Sequence, residues 1–566
     1  MPKRLLHRTI FLVLTGLWGS ASPTLAQRPP SPSHASSGYT ELVGIFEDFR
    51  AARAPAAWSA AFDDPDAPYG VSDFSPGAVR ARIEAVDALE DRLKAIDPSP
   101  WTVAQKADYL AVKAQIAAQR FHLEVSRPWA RDPGTYVDPL LRLAFADLEG
   151  DEASIARTRA RLEAVPAMTR AARENLTDGA ADYLALARFN MRNPDGVGHG
   201  HPYRAVPPAG VIGWYGDLLD RAAASRPELV PAVEEALATV EDFADWLDAQ
   251  VPAMTAEAGV GEARFDWYMR YAKLLPWSAD EMALLARRDW ERMLAFLALE
   301  EARNRDQPVL EPAPTAEAYE ARLRRTDANV RRWLVEKDIL TLPDDTPDFD
   351  AFGYNAPFIE RPEGLNFWEK VQFRDPHPDH LHAVIPGHRY DGWFARRSDH
   401  PIRSRISDGV RVEGWGVYLE EPMVRAGVVD HLPRVHELMY LFGIFRATRV
   451  TADIGMQLNE MTIQEAADHM RSGSPWLDHD VARVDAEIYL RRPPGYGLGY
   501  TIGNLQIQQL LGELRLRDGE DFDLKAFHDD FLGRGRMPIS LIRYEMLGTE
   551  DQVSDFWAFE PIPPAH

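Results

Sequence analysis

Five histidines fall between positions 377 and 400: His377, His380, His382, His388 and His400, out of 16 in the chain. A lone histidine is usually surface or satisfied core, but imidazole is also the commonest side-chain metal ligand, and clustering favours that second role. Shortly after them comes Glu413-Gly-Trp-Gly-Val-Tyr-Leu-Glu420, which reads as the start of a helix. Seven residues make nearly two turns, so Glu413 and Glu420 share a face and both can address a site opposite the histidines. Two imidazoles and a distant helical carboxylate, with a fourth position left open for water, are the ligand set of many catalytic zinc sites.

The elements that must carry these residues are helices. From Ser225, read as a cap, Leu229, Val233, Ala236, Val240, Phe243 and Leu247 recur at spacings of three and four, the stripe of an amphipathic helix. Ser278-Ala-Asp-Glu281 is a capping box that opens a helix through Trp290, Met293 and Leu297. Further periodic segments run near 76–96, 101–127 and 152–189. Strand signals are few, and the irregular stretch 340–375, rich in Pro, Asp and aromatics, is where a small sheet would sit. The expected fold is mainly α, a large helical body around a cleft with at most a small β element. No repeat and no dividing linker follow residue 40.

Composition removes several function classes. The net charge of −24, with 8 Lys against 55 Arg, disfavours contact with phosphate backbones, so no nucleic-acid partner is expected. The chain has no Gly-Lys pair for a phosphate loop and no Gly-x-Ser-x-Gly elbow. Residues 1–26 read as a secretory signal: Lys3, Arg4 and Arg8, an apolar run from Thr9 to Trp18, and Thr24-Leu25-Ala26 before Gln27. Residues 27–37 read as a disordered Pro/Ser-rich linker, and 38–566 as the helical domain. The absence of cysteine removes a lipid-attachment motif, so the expectation is a periplasmic or secreted protein with no membrane anchor after cleavage.

The segment His382-Ala-Val-Ile-Pro-Gly-His388, followed by Glu413-Gly-Trp, resembles the DUF885 family of bacterial proteins, whose hallmark is His-Glu-x-x-Pro-Gly-His and then Glu-Gly-Trp-Ala. Further blocks are similar: Arg446-Ala-Thr-Arg449 with Asp453-Ile-Gly455, Glu487 to Arg491, Pro494-Gly495, Leu498-Gly-Tyr500-Thr-Ile-Gly503, Phe527-His528, and Gly535 to Pro538. The motifs cover 382–541, with weaker similarity from about 260, so the motif-bearing part is 260–566; the first 250 residues match only in being helical. The resemblance implies a helical protein akin to zinc peptidases of the gluzincin type, with His382, His388 and Glu413 as ligands to one zinc per chain. His382 and His388 would stand about 240° apart on a regular helix, so they converge only if Pro386-Gly387 distorts the backbone. His436-Glu437 is a decoy, since residue 440 is Tyr and no His-Glu-x-x-His is completed.

The chain departs from the pattern where proton transfer is concerned. Ala383 stands where the family has its general-base Glu, Gln457 where it has His, and Tyr496 where it has Gln. Asp379, Asp391, Glu420 and Glu421 are the carboxylates available to substitute. Tyr496 and Tyr500 are placed to donate to a developing oxyanion, and Arg491 to hold an anionic substrate group, although a turn with packed aromatics accounts for the tyrosines equally. Arg446, Arg449 and Asp453, at i, i+3 and i+7, form either a buried charge network or support for the site; Trp415 and His528 are read as core. The combined expectation is a secreted, divergent metallohydrolase acting on a peptide- or amide-like substrate, with Tyr500, Tyr496, Arg491 and Glu420 as catalytic candidates. The alternatives are a metal-dependent lyase and a non-catalytic protein that binds a small molecule or peptide in the same cleft.

Overall fold

The computed structural model describes residues 37–53, 72–194, 206–360 and 364–564. The expected signal 1–26 and linker 27–37 lie outside them, except for Ser37, which opens the first helix. Of the described residues 69% are helical, and among them there is no strand. Two isolated bridges join Ala180 to Ala256 and Ser407 to Arg536. The mainly α expectation therefore holds, but no sheet forms among the described residues of 340–375. Short helices at Phe349–Phe352 and Phe367–Gln372 occupy it, and its aromatics pack on Tyr319 of the helix Ala316–Glu336. The Phe358 and Phe373 rings stack with centroids 4.8 Å apart, so this stretch buries its apolar groups without a ladder.

In the first half the helices follow their apolar stripes. Val230–Ala249 buries Val233, Ala236, Val240, Phe243 and Leu247 as expected, but Ser225 does not cap it. The Ser225 hydroxyl donates to the Arg221 carbonyl and closes the preceding helix Gly210–Ser225, after which Pro227 opens a separate 3-10 turn. The segment 152–189 divides into Glu152–Asn175 and Ala181–Arg192; in the connection the Asp178 and Ala180 amides donate to the Ala130 and Arg131 carbonyls, and Gly179 lies against Met254, where a Cβ would meet the side chain at 2.4 Å. The segment 101–127 is Val103–Phe121 followed by a single π turn. The capping box at Ser278 and Glu281 opens Ala279–Arg303.

Three helices of the second half position the chemistry, named here for what they carry. The glutamate helix Gly409–Arg425 starts four residues before Glu413, capped by Asp408, whose carboxylate accepts from the Arg411 amide at 2.9 Å. It crosses the tyrosine helix Gly499–Asp518 backbone to backbone. A Cβ on Gly503 would stand 2.3 Å from the Val410 carbonyl oxygen, and one on Gly414 would stand 2.6 Å from Gly503. Only hydrogens fit there, which explains both glycines by close approach. The arginine helix Val435–Gln457 packs along Ala279–Arg303 and against both of the others. One apolar cluster runs from Tyr39 to Phe556 and draws on both halves.

Candidate metal centre

The convergence of His382 and His388 is made by a helix break. The helix His377–Ala383 stops, and a new one, His388–Ala395, begins. The turn between them contains a cis Ile385–Pro386 bond, and Gly387 sits so close that a Cβ would lie 1.9 Å from the His382 carbonyl oxygen. Trp415 of the glutamate helix fastens the turn: its Nε1 donates to the Pro386 carbonyl at 3.0 Å while its ring stacks on Phe531. The two imidazoles end with centroids 4.5 Å apart and planes at 77°.

Glu413 completes the group. Its Oε2 lies 3.5 Å from His382 Nε2 and 3.3 Å from His388 Nε2, and one potential ligand atom from each of the three residues lies within 4.8 Å of the others. In a tetrahedral zinc site with bonds of about 2.0–2.1 Å, neighbouring donor atoms stand about 3.3–3.4 Å apart. Glu413 Oε2 is buried and accepts no hydrogen bond. An anionic oxygen at metal-bridging distance from two ring nitrogens fits a cation. Among the described residues this is the one group of three or more His, Asp or Glu side chains so arranged.

A second layer orients these ligands. The Tyr496 hydroxyl donates to Glu413 Oε1 at 2.8 Å. Glu420 Oε1 lies 2.9 Å from His382 Nδ1, a close contact rather than an aligned hydrogen bond. Arg446 grips Glu420 with Nε and Nη2. Carboxylates behind ligand imidazoles fix ring orientation and raise donor strength. Gly416, one turn from each glutamate, leaves room for the ring: a Cβ there would stand 2.5 Å from His382 Nδ1. The DUF885 hallmark has Ala at this position, so His382 occupies space that a methyl group would take.

The electrostatics follow from burial and pairing. Burial works to raise the Glu413 carboxyl, but the two imidazoles hold it well below the ordinary range. Burial also opposes ionisation of Glu420, and Arg446 and His382 outweigh it. His388 is pushed down by burial and by His382, whereas His382 is burdened by burial and Arg446 yet raised by its two carboxylates. Burial lifts Tyr496 to about 12 and Tyr500 well above its usual value, so both phenols keep their protons as donors.

The other expected site residues divide clearly. Tyr500 borders the centre, its ring nearly parallel to His382 with centroids 6.3 Å apart and Arg449 over it at 4.6 Å. Arg491 does not join it. Asp132 at 2.9 Å, Asp138 at 2.9 Å and Glu487 at 3.0 Å engage its guanidinium, so it ties the second half to the helix Gly134–Ala144. Glu420 stands behind His382 as a positioning residue. Asp391 is held by Arg411 and Arg536, and Glu421 by Arg292 and Arg425. Of the four candidate bases only Asp379 has no arginine partner among the described residues; it accepts from Asn355 at 2.9 Å, and burial raises its pKa. Ala383 is buried and offers no proton-transfer group.

The other histidines singled out in the sequence have structural partners. His377 meets Asp375 at 2.7 Å and His380 meets Asp327 at 3.0 Å, while His400 accepts from the Ile402 and Arg403 amides. His528 sits between the Tyr418 hydroxyl and the Ile339 carbonyl, each at 2.8 Å, and His436 stands 3.9 Å from Glu300 and Asp430. Arg449 pairs with Asp485 at 2.8 Å, and Asp453 accepts from the Gly497 and Leu498 amides, which holds the loop bearing Tyr496. Sequence reasoning missed the Asn355 contact, the Trp415 bond and the role of Gly416. Only the last had a signal, a residue without a side chain midway between two carboxylates on one helix face.

Two solved structures share this fold. One is a candidate lipoprotein of unknown function from Shewanella oneidensis, with 19% identity and a TM-score of 0.66 over 91% of this chain and 100% of that one. The other is a candidate lipoprotein from Colwellia psychrerythraea, with 14% identity and a TM-score of 0.65 over 90% and 98%. No curated protein matches the chain. The profile of the family described as "Bacterial protein of unknown function (DUF885)" matches residues 62–340 and 379–546. Similarity thus reaches through the N-terminal helices, well before position 260, and the chain belongs to the DUF885 family.

Proposed function

We propose that the protein is an exported, divergent metallohydrolase for a peptide- or amide-like substrate, in which His382, His388 and Glu413 hold one zinc ion. The observation that carries this reading is the spacing of Glu413 Oε2 from the two Nε2 atoms, which matches the edge of a tetrahedral site. When bound, zinc supplies Lewis acidity and lowers the pKa of a coordinated water. The chain's own residues do the rest. Glu420 and Arg446 hold the His382 ring, Tyr496 holds Glu413, and Tyr500 keeps its proton as a donor beside the ligands. Asp379 is the carboxylate left for proton transfer, and losing a well-placed base costs about 10²–10⁴ in rate, so turnover is slow. Export is read from residues 1–26, and both similar structures carry lipoprotein descriptions.

Elemental mass spectrometry of the purified protein should find about one zinc per chain, and none in His388→Ala. No metal in either, even after reconstitution, removes the hydrolase reading. With zinc present, Asp379→Asn is expected to lower amide hydrolysis about 10²-fold or more and Ala383→Glu to raise it. The locking of Asp391, Glu420 and Glu421 by arginines favours a second reading, a metal-bearing protein that binds peptides without cleaving them. Zinc at full occupancy with peptide binding and no turnover in either variant would select it.

A further inference from the structure

A cavity of about 330 Å³ lies between the helices Pro76–Lys94, Val103–Phe121 and Glu262–Tyr271 and the segment 559–562. Its volume falls in the range of small-molecule pockets, about 300–1,000 Å³. The apolar wall is Leu93, Ile116, Trp267, Tyr271, Phe559 and Ile562. Lys113 also lines it and is only 5% exposed.

Among the described residues no hydrogen bond or ion pair holds the Lys113 ammonium. It faces two aromatic rings, Phe559 at 4.6 Å and Tyr271 at 5.1 Å. Of the three carboxylates lining the cavity, two are engaged elsewhere: Glu90 meets Lys94 at 2.5 Å and Arg120 at 3.1 Å, and Glu124 meets Arg120 at 3.1 Å; among the described residues no ion pair joins the third, Glu560, to Lys113. Glu560 is exposed, and its carbonyl accepts from Trp267 Nε1. A buried cation without a counter-ion is unfavourable, and burial pushes this ammonium down to about 8, with Lys94 adding to the effect and Glu90 and Glu560 opposing it. An anion delivered into the cavity would complete the missing pair while its apolar part covered the aromatic wall.

We propose that this cavity binds a small organic carboxylate with an apolar body, with Lys113 as its counter-ion. Titration calorimetry of the full chain with octanoate and with its neutral analogue octanamide tests this. A charge-assisted contact predicts that octanoate binds about tenfold or more tightly than octanamide in the wild type and in Lys113→Arg. The preference should vanish in Lys113→Met, which replaces a buried charge with an apolar chain of similar reach. It should persist in His388→Ala, which separates this cavity from the metal centre. Equal affinity for the two ligands, no octanoate binding by the wild type, or a preference lost in His388→Ala but kept in Lys113→Met overturns the proposal. The wild-type comparison stands even where a variant does not fold.

Discussion

The helix Glu152–Asn175 in the first half and the arginine helix in the second are nearly equal in length and built on opposite terms. The first buries 7 of its 24 residues along one stripe, and its charges reach water. The second buries 19 of 23, among them Arg446, Arg449 and Asp453. A one-sided helix is held by apolar area and tolerates change on its outer face. A helix buried all round must give each charge a partner, because an ion left unpaired in the interior costs several kcal/mol. Those partners are the chemistry: Arg446 holds Glu420, Glu420 holds His382, and Asp453 holds the loop that carries Tyr496. The candidate metal centre draws its order from the second kind of helix, and the first kind supplies mass and cover.

Breaking a partner in the second region should have the largest effect. Arg446→Met leaves Glu420 in the core without its arginine, beside His382 only, with an expected loss of about 3–5 kcal/mol in urea unfolding together with weaker zinc retention. Next comes acid. Burial depresses His528 to about 4 from its ordinary 6.5, so the unfolded chain binds more protons between those values. The contribution of neutral His528 is complete above about pH 6.5 and lost as pH falls toward 4, on the order of 3 kcal/mol. His528→Gln, which still hydrogen-bonds but does not titrate, should flatten that part of the stability profile. Gly503→Ala drives a methyl group into the Val410 carbonyl and should cost about 1–3 kcal/mol, with zinc affinity falling as the glutamate and tyrosine helices separate. The smallest effect belongs to the first region. Arg192→Ala breaks pairs with Asp245 and Asp248 in which all three side chains are substantially exposed, and should lower the unfolding free energy by no more than about 0.5 kcal/mol. An Arg192 effect as large as that of Arg446 would erase the distinction between the two regions.

The same contrast governs what could be read in advance. The stripe of Val233 to Leu247 and the box of Ser278 and Glu281 are local patterns, and the helices they announce are present. Break points are harder to read, because the connection after Asn175 is tied to Ala130, Arg131 and Met254, contacts that no local pattern carries. At the site, the spacing of Glu413 and Glu420 set both on one face, and the resemblance singled out the two histidines that do converge. The place of Arg491 is not legible in the sequence, because its three carboxylate partners include Asp132, separated from it by 359 positions.

Sequence alone therefore determined the helical class, the positions of the periodic helices and the short list of metal-capable side chains, since all of these rest on spacings within a few turns. Tertiary structure decided which histidines meet, which carboxylates arginines neutralise and which lysine is buried with no ion pair among the described residues. Those outcomes depend on a helix break at Pro386-Gly387, a glycine crossing at Gly414 and Gly503, and pairings between distant segments. Such contacts form only once the chain has closed on itself, and no pattern within a few turns of sequence encodes them.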